Sequence, residues 1–104
     1  MEIPSKFKIG GQEFEIKLVD RIRDTDDYGE FSYCPSQIEI ATKYYDNQGI
    51  AHVIPENQLR NTFWHEIFHA FNYMWNNGVD ESLAQTFANF MCEYEDSKDY
   101  GEED

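Results

Sequence analysis

Two stretches near the start of the chain alternate apolar and polar residues with a period of two. Over 6–19, Phe7 and Ile9 alternate with Lys6 and Lys8. Phe14, Ile16 and Leu18 alternate with Glu13, Glu15 and Lys17, and Gly10-Gly11 stands between the two runs. That period marks strands with one buried face, and a Gly-Gly step is a two-residue hairpin turn. Pairing across it sets Phe7 opposite Phe14, Lys8 opposite Glu13 and Lys6 opposite Glu15, so both faces agree in character. A second hairpin is expected from Phe31 and Tyr33, through a turn at Pro35-Ser36, into Ile38 and Ile40. Its cross-strand pairs are Tyr33 with Ile38 and Phe31 with Ile40. Between the hairpins, Asp20 to Asp27 reads as a charged connector. Its Asp24, Asp26 and Asp27 lack the spacing and closing Glu of a calcium loop, so it is taken as solvated. Residues 43–55 read as a second connector, turning at Asp46-Asn47-Gln48-Gly49 and anchored by Ile50, Val53 and Ile54.

From Pro55 onward the period changes to that of a helix. The first helix is expected over Glu56–Trp75, entered at Pro55 and stopped by Asn76-Asn77-Gly78. Leu59, Phe63, Ile67, Ala70, Phe71 and Met74 form its core stripe, widened by Trp64, Phe68 and Trp75 to about half the circumference. The second helix is expected from Asp80, as N-cap, to Glu95. Its stripe is Leu83, Ala84, Phe87, Ala88, Met91 and Tyr94. Ala84 and Ala88, four apart, open a narrow strip for close contact, and the short link makes the helices antiparallel neighbours. The fold class is therefore α+β: a small antiparallel sheet of hairpins packed on two antiparallel helices.

Composition narrows the function classes. A chain of 104 residues with 40% apolar and 16% aromatic residues holds one domain with a modest core of large rings. That domain is assigned to residues 1–97, followed by an acidic tail, 98–104, expected to be mobile. The start of the chain has no apolar signal region and there is no run of 18 apolar residues, so a cytoplasmic protein is expected. Cys34 and Cys92 then read as two reduced thiols. The formal charge of −13, six of it from Glu93 onward, repels nucleic acid and anionic membranes. Neither is expected as a partner; cations, basic peptides and basic proteins are.

The chemistry lies in Phe63-Trp64-His65-Glu66-Ile67-Phe68-His69, inside the first helix. Residues four apart lie about 40° apart on the wheel and one turn up, so His65 and His69 project from one face, spaced to grip one ion. Imidazole is the commonest zinc-binding group. Glu66, about 100° round, stands beside the ion, where a general base acting on a zinc-bound water belongs. If the two histidines were merely core residues, they and Glu66 would need several partners to escape a desolvation cost.

Catalytic zinc usually has three protein ligands and a water. The candidates for the third are His52, Asp80 and Glu81. A third histidine ten residues after His65 is excluded, because Asn72 and Trp75 stand where Gly and His are needed. Glu81 lies on the side of the second helix that carries Ala84 and Ala88, and Asp80 has a competing role as cap. Packing therefore favours Glu81. Tyr73, Tyr44, Tyr45 and His52 are candidate donors to an oxyanion. Gln37–Ala41, as a free edge beside the cleft, could pair with an extended peptide.

Two pieces, 62–70 and Asp80-Glu81-Ser82-Leu83-Ala84-Gln85-Thr86-Phe87-Ala88, resemble the ImmA/IrrE-like small zinc metallopeptidases of phages and mobile elements. The strand Gln37-Ile38-Glu39-Ile40 matches the position of that family's sheet edge, and the resemblance covers roughly 29–92. It implies a minimal zincin domain, a Zn²⁺ cofactor held by His65, His69 and Glu81, and Glu66 as general base. It also implies peptide-bond hydrolysis, with a basic DNA-binding repressor among the possible protein substrates. The short gap from His69 to Glu81 and the lack of a helix-turn-helix module depart from the family pattern. The rival, motivated by the charge, is an acidic binding or decoy protein with a structural or vestigial zinc site.

Overall fold

A computed structural model describes residues 3–23, 25–33, 35–75, 78, 80–99 and 101. Its α+β architecture has a four-stranded sheet, a two-stranded ribbon and two helices. β1 (Lys6–Ile9) and β2 (Gln12–Val19) form the first hairpin in the register set by the alternation, Phe7 against Phe14 and Lys6 against Glu15. Gly10 and Gly11 both take positive φ, 59° and 85°, as a turn matching the strand twist requires. The Phe7 and Phe14 rings stack 5.2 Å apart.

β3 (Gly29–Tyr33) and β4 (Ser36–Ala41) form the second hairpin, but two residues out of the expected register. Phe31 faces Ile38 and Tyr33 faces Ser36. Ser36 is therefore already paired in β4, opposite Tyr33, and does not belong to a Pro35-Ser36 turn. A slip of two leaves every side chain on its face, so alternation alone could not detect it. A second difference has more consequence. β4 pairs in parallel with β2, Ile16 against Ile38, and the strand order is β1-β2-β4-β3. The sheet is mixed rather than wholly antiparallel. β4 is an inner strand and not the expected edge; the edges are β1 and β3. Within the connector that permits this crossing, Ile22 is fully buried, packed with Ala41 and Ile54.

The stretch 43–55 also holds more structure than a connector. β5 (Lys43–Tyr45) and β6 (Ala51–Val53) pair across a turn whose Asp46 carboxylate accepts from the Gln48 and Ile50 N–H groups. Ile54 anchors it, whereas Ile50 and Val53 point into solvent, being 53% and 76% exposed.

α1 (Glu56–Met74) is buried on two sides. Phe63 packs with Ile16, Ile38 and Ile40 of the sheet. Another side meets α2 (Glu81–Ser97), where Phe87 lies 6.1 Å from Trp64 and 5.2 Å from Phe68, ring centre to ring centre. Ala84 and Ala88 are fully buried, and Arg60 forks onto Asp96 at 2.9 and 3.1 Å. Phe71, Trp75, Leu83 and Tyr94, placed in the core stripes by period, are exposed. Their stripes are wider than the partner surfaces that cover them.

Asn76 and Asn77, expected as the helix stop, lie outside the described residues, as do Asp24 and Cys34. Cys92 is a free thiol. α2 ends at Ser97, two residues beyond the expected Glu95. Lys98, Asp99 and Gly101 of the expected tail are exposed, and its residues 100 and 102–104 lie outside the described residues. Among the described residues no helix is long and apolar enough to cross a membrane.

The alanine strip generates a first test. Ala88→Leu forces a larger, branched side chain into a fully buried helix contact and should cost about 1–3 kcal/mol. The expected result is a melting temperature lower by roughly 5–15 °C, read by calorimetry.

Candidate metal centre

His65 and His69 stand one turn apart on α1, their rings edge to face with centroids 4.8 Å apart. Glu81 is the first residue of α2. Its Oε1 sits 2.9 Å from His65 Nε2 and 3.1 Å from His69 Nε2. Of the three candidates for a third ligand, Glu81 is the one brought to the imidazoles. Asp80 spends its carboxylate on the helix cap, accepting from the Leu83 N–H at 2.9 Å. His52 lies on β6, with Nε2 2.9 Å from Asp46 Oδ2 and its ring stacked on Tyr44, and it does not line the cleft described below.

Behind the histidines runs a carboxamide relay that the motif did not reveal. Gln85 Nε2 donates to Asn61 Oδ1 at 2.7 Å and to Asn89 Oδ1 at 2.9 Å, and Asn61 Nδ2 donates to Asn89 Oδ1 at 3.0 Å. With its amino group committed, Gln85 turns its carbonyl oxygen to His65 Nδ1, 3.0 Å away. That acceptor assigns a proton to Nδ1. In a neutral ring Nε2 then carries a lone pair aimed at a carboxylate oxygen 2.9 Å away. A lone pair facing a carboxylate oxygen at that distance is an arrangement that a cation between them would satisfy. Zinc bonds of about 2.0–2.1 Å would set tetrahedral ligands about 3.4 Å apart. The present triangle would open by a few tenths of an ångström, which an exposed Glu81 side chain allows. Two imidazoles and a carboxylate are donors zinc accepts, so the residues fit the ion. The relay had a trace in the sequence, since Gln85 and Asn89 follow Glu81 at intervals of four.

Glu66 lies on the sheet-facing side of the pair and is only 7% exposed. Edge strand β3 presses on it through Gly29. A Cβ there would lie 2.6 Å from Thr62 Cγ2 and 2.9 Å from Glu66 Cγ, so glycine is what permits the approach. Burial pushes the Glu66 carboxyl up to about 7; His65 opposes the rise, and Glu81, Glu30 and Asp27 add to it. Glu81 moves the other way, held below the ordinary carboxylate value chiefly by its hydrogen bond with His65. Glu66 could also join the histidines around a cation, since potential ligating atoms of His65, Glu66 and His69 lie within 4.8 Å of one another. The direct contacts of Glu81 with both Nε2 atoms make it the stronger candidate for a third ligand, and the proton affinity of Glu66 suits a base.

These groups line a cleft of about 760 Å³ between β3 and α2, floored by α1. Of the candidate oxyanion donors, Tyr73 lines it; Tyr44, Tyr45 and His52 belong to the β5–β6 ribbon.

No protein-family model, curated protein or solved structure matches the chain.

Two expectations follow from this geometry. Gln85→Leu removes the acceptor that fixes His65, and zinc affinity should fall about 10–100-fold in a competition titration with a chromophoric chelator. The second concerns pH. The folded carboxyl of Glu66 titrates near 7 and the unfolded one near 4.5, so in that window the folded chain holds a proton that the unfolded chain releases. Stability of chelator-stripped protein must therefore fall as pH rises from about 5 to 7, by at most about 3 kcal/mol from this group. Denaturant midpoints measured across that range for wild type and Glu66→Gln should diverge, with the variant showing the flatter profile.

Proposed function

We propose that the protein is a zinc-dependent peptidase with His65, His69 and Glu81 as ligands and Glu66 as general base. The observation that carries this reading is one carboxylate oxygen shared by two imidazoles, with a buried carboxyl titrating near 7 beside them in an open cleft. When bound, zinc would supply Lewis acidity, polarising a substrate carbonyl and acidifying water. Glu66 takes the proton from the attacking water and later returns it to the leaving amine, and an affinity near neutral pH suits both transfers. Gln85 holds His65 in the tautomer that offers Nε2.

The substrate is guided by β3. The Ala41 N–H donates to the Tyr28 carbonyl at 2.8 Å. By the alternation of an antiparallel ladder, Glu30 and Ser32 then bond to β4, while Gly29, Phe31 and Tyr33 turn their N–H and C=O groups to the open edge. An extended peptide adds there as a further strand, passing Glu66 where Gly29 touches it. The charge of −13 favours a basic protein as substrate. A DNA-binding repressor met in the cytoplasm fits that chemistry and the resemblance to ImmA/IrrE-like peptidases. The same charge supports a second reading, an acidic binding protein in which the metal is structural.

Paired variants separate these. Glu66→Gln should lose hydrolysis of a basic extended peptide by roughly 100-fold or more and keep its zinc. His65→Ala should lose the zinc itself, by elemental analysis. Full activity in Glu66→Gln would refute the mechanism. Zinc-loaded wild type that cleaves no basic peptide, yet binds one in a strongly salt-dependent way, would favour the acidic binding protein.

A further inference from the structure

The cleft is chemically lopsided. On one side of the histidines it is walled by carboxamides, Gln58, Asn61 and Gln85. On the other it ends in two tyrosines, Tyr33 of β3 and Tyr73 of α1. Their rings stack 4.8 Å apart at 23°, yet Tyr33 is 59% and Tyr73 39% exposed. The pair is braced from beneath, since Phe31 lies 5.7 Å from Tyr73 and 5.9 Å from buried Phe14. It is a supported apolar surface with uncovered area, placed in the cleft wall.

We infer that this tyrosine pair is a specificity shelf. It receives a large aromatic or aliphatic side chain of the substrate, about two residues from the scissile bond. The inference rests on the peptidase reading and adds to it which peptides are taken. Tyr73 follows His69 by one turn on the same helix face, about 6 Å along the axis. An extended chain advances about 3.3 Å per residue, so the shelf lies about two residues from the metal ligands. Tyr33 turns its backbone to the open edge and its side chain towards α1. A peptide residue paired opposite Tyr33 therefore points its side chain onto the same face, over the two rings. Large rings and branched aliphatics gain most from covering such a surface, through buried area and through offset or edge contacts. Small or charged side chains gain little. The shelf thus selects one hydrophobic anchor in an otherwise polar, basic segment.

The test uses a basic extended peptide series that differs at one position, Phe, Leu, Ala or Asp, two residues from the central bond on either side. Binding is read by fluorescence anisotropy on zinc-loaded Glu66→Gln, and cleavage by mass spectrometry on zinc-loaded wild type. The expected result is Kd at least about tenfold tighter for Phe or Leu than for Ala on one of the two sides, with kcat/KM ordered the same way. Adding Tyr33→Ala to the Glu66→Gln protein should shrink that ratio to about twofold with zinc content unchanged. Tyr33→Phe should preserve it, because the ring and not the hydroxyl is used. Equal affinities across the series, or a ratio untouched by Tyr33→Ala, overturn the shelf even if hydrolysis is confirmed. Selective binding without any hydrolysis by wild type would keep the shelf and reject the peptidase reading.

Discussion

One helix, buried from two sides and left open along a third, sets the geometry of this molecule. α1 gives Phe63 to the sheet and Trp64 and Phe68 to α2, and the stripe between these faces carries His65, His69 and Tyr73. The period of 3.6 makes the division possible. Residues adjacent in sequence fall about 100° apart, so Glu66 is driven into the sheet side while His65 stays at the cleft. Each flanking contact depends on a small residue. Gly29 lets β3 come down onto Glu66, and Ala84 and Ala88 let α2 come close enough for Glu81 to reach both imidazoles.

The two carboxylates are tuned in opposite directions by their surroundings. Glu66 is desolvated and stands near further acids, which raises its proton affinity to near neutrality against the opposing pull of His65. Glu81 is largely exposed and bonded to both imidazoles, which lowers its own. One group is thus suited to exchange a proton at neutral pH and the other to remain an anion. Burying the Glu66 carboxyl is a local cost to folding.

Much of this was legible in the sequence. The first hairpin's register, both helices, the capping role of Asp80 and the meeting of His65, His69 and Glu81 all follow from periods and caps. What was not legible depends on choices that a period cannot encode. A register shift of two between Phe31 and its partner preserves every face, so the Pro35-Ser36 turn could be misplaced unnoticed. The parallel pairing of β2 with β4 is a long-range decision, and it moved the free edge from Gln37–Ala41 to Gly29–Tyr33. That change brought Tyr33, which had read only as a hairpin residue, into the cleft. The exposure of Phe71 and Leu83 has the same root, since a stripe predicts apolar character but not how much partner surface will cover it.

The adjacent acids Asp80 and Glu81 show how closely site and fold are joined. They have the same functional group and sit side by side, yet one caps and the other meets the histidines. Asp80 is half outside the helix, with φ −141° and ψ 91°, and its short side chain folds back onto the Leu83 N–H. That bond fixes where α2 begins, and so fixes the backbone from which Glu81 projects. Glu81 has one more methylene and a helical backbone, which together carry its carboxylate across to α1. It also sits at the positive end of the helix dipole, a position that favours an ionised acid. Exchanging the two residues would keep the charge but shorten the side chain that meets the histidines and weaken the cap, so the order of these two acids is itself part of the site.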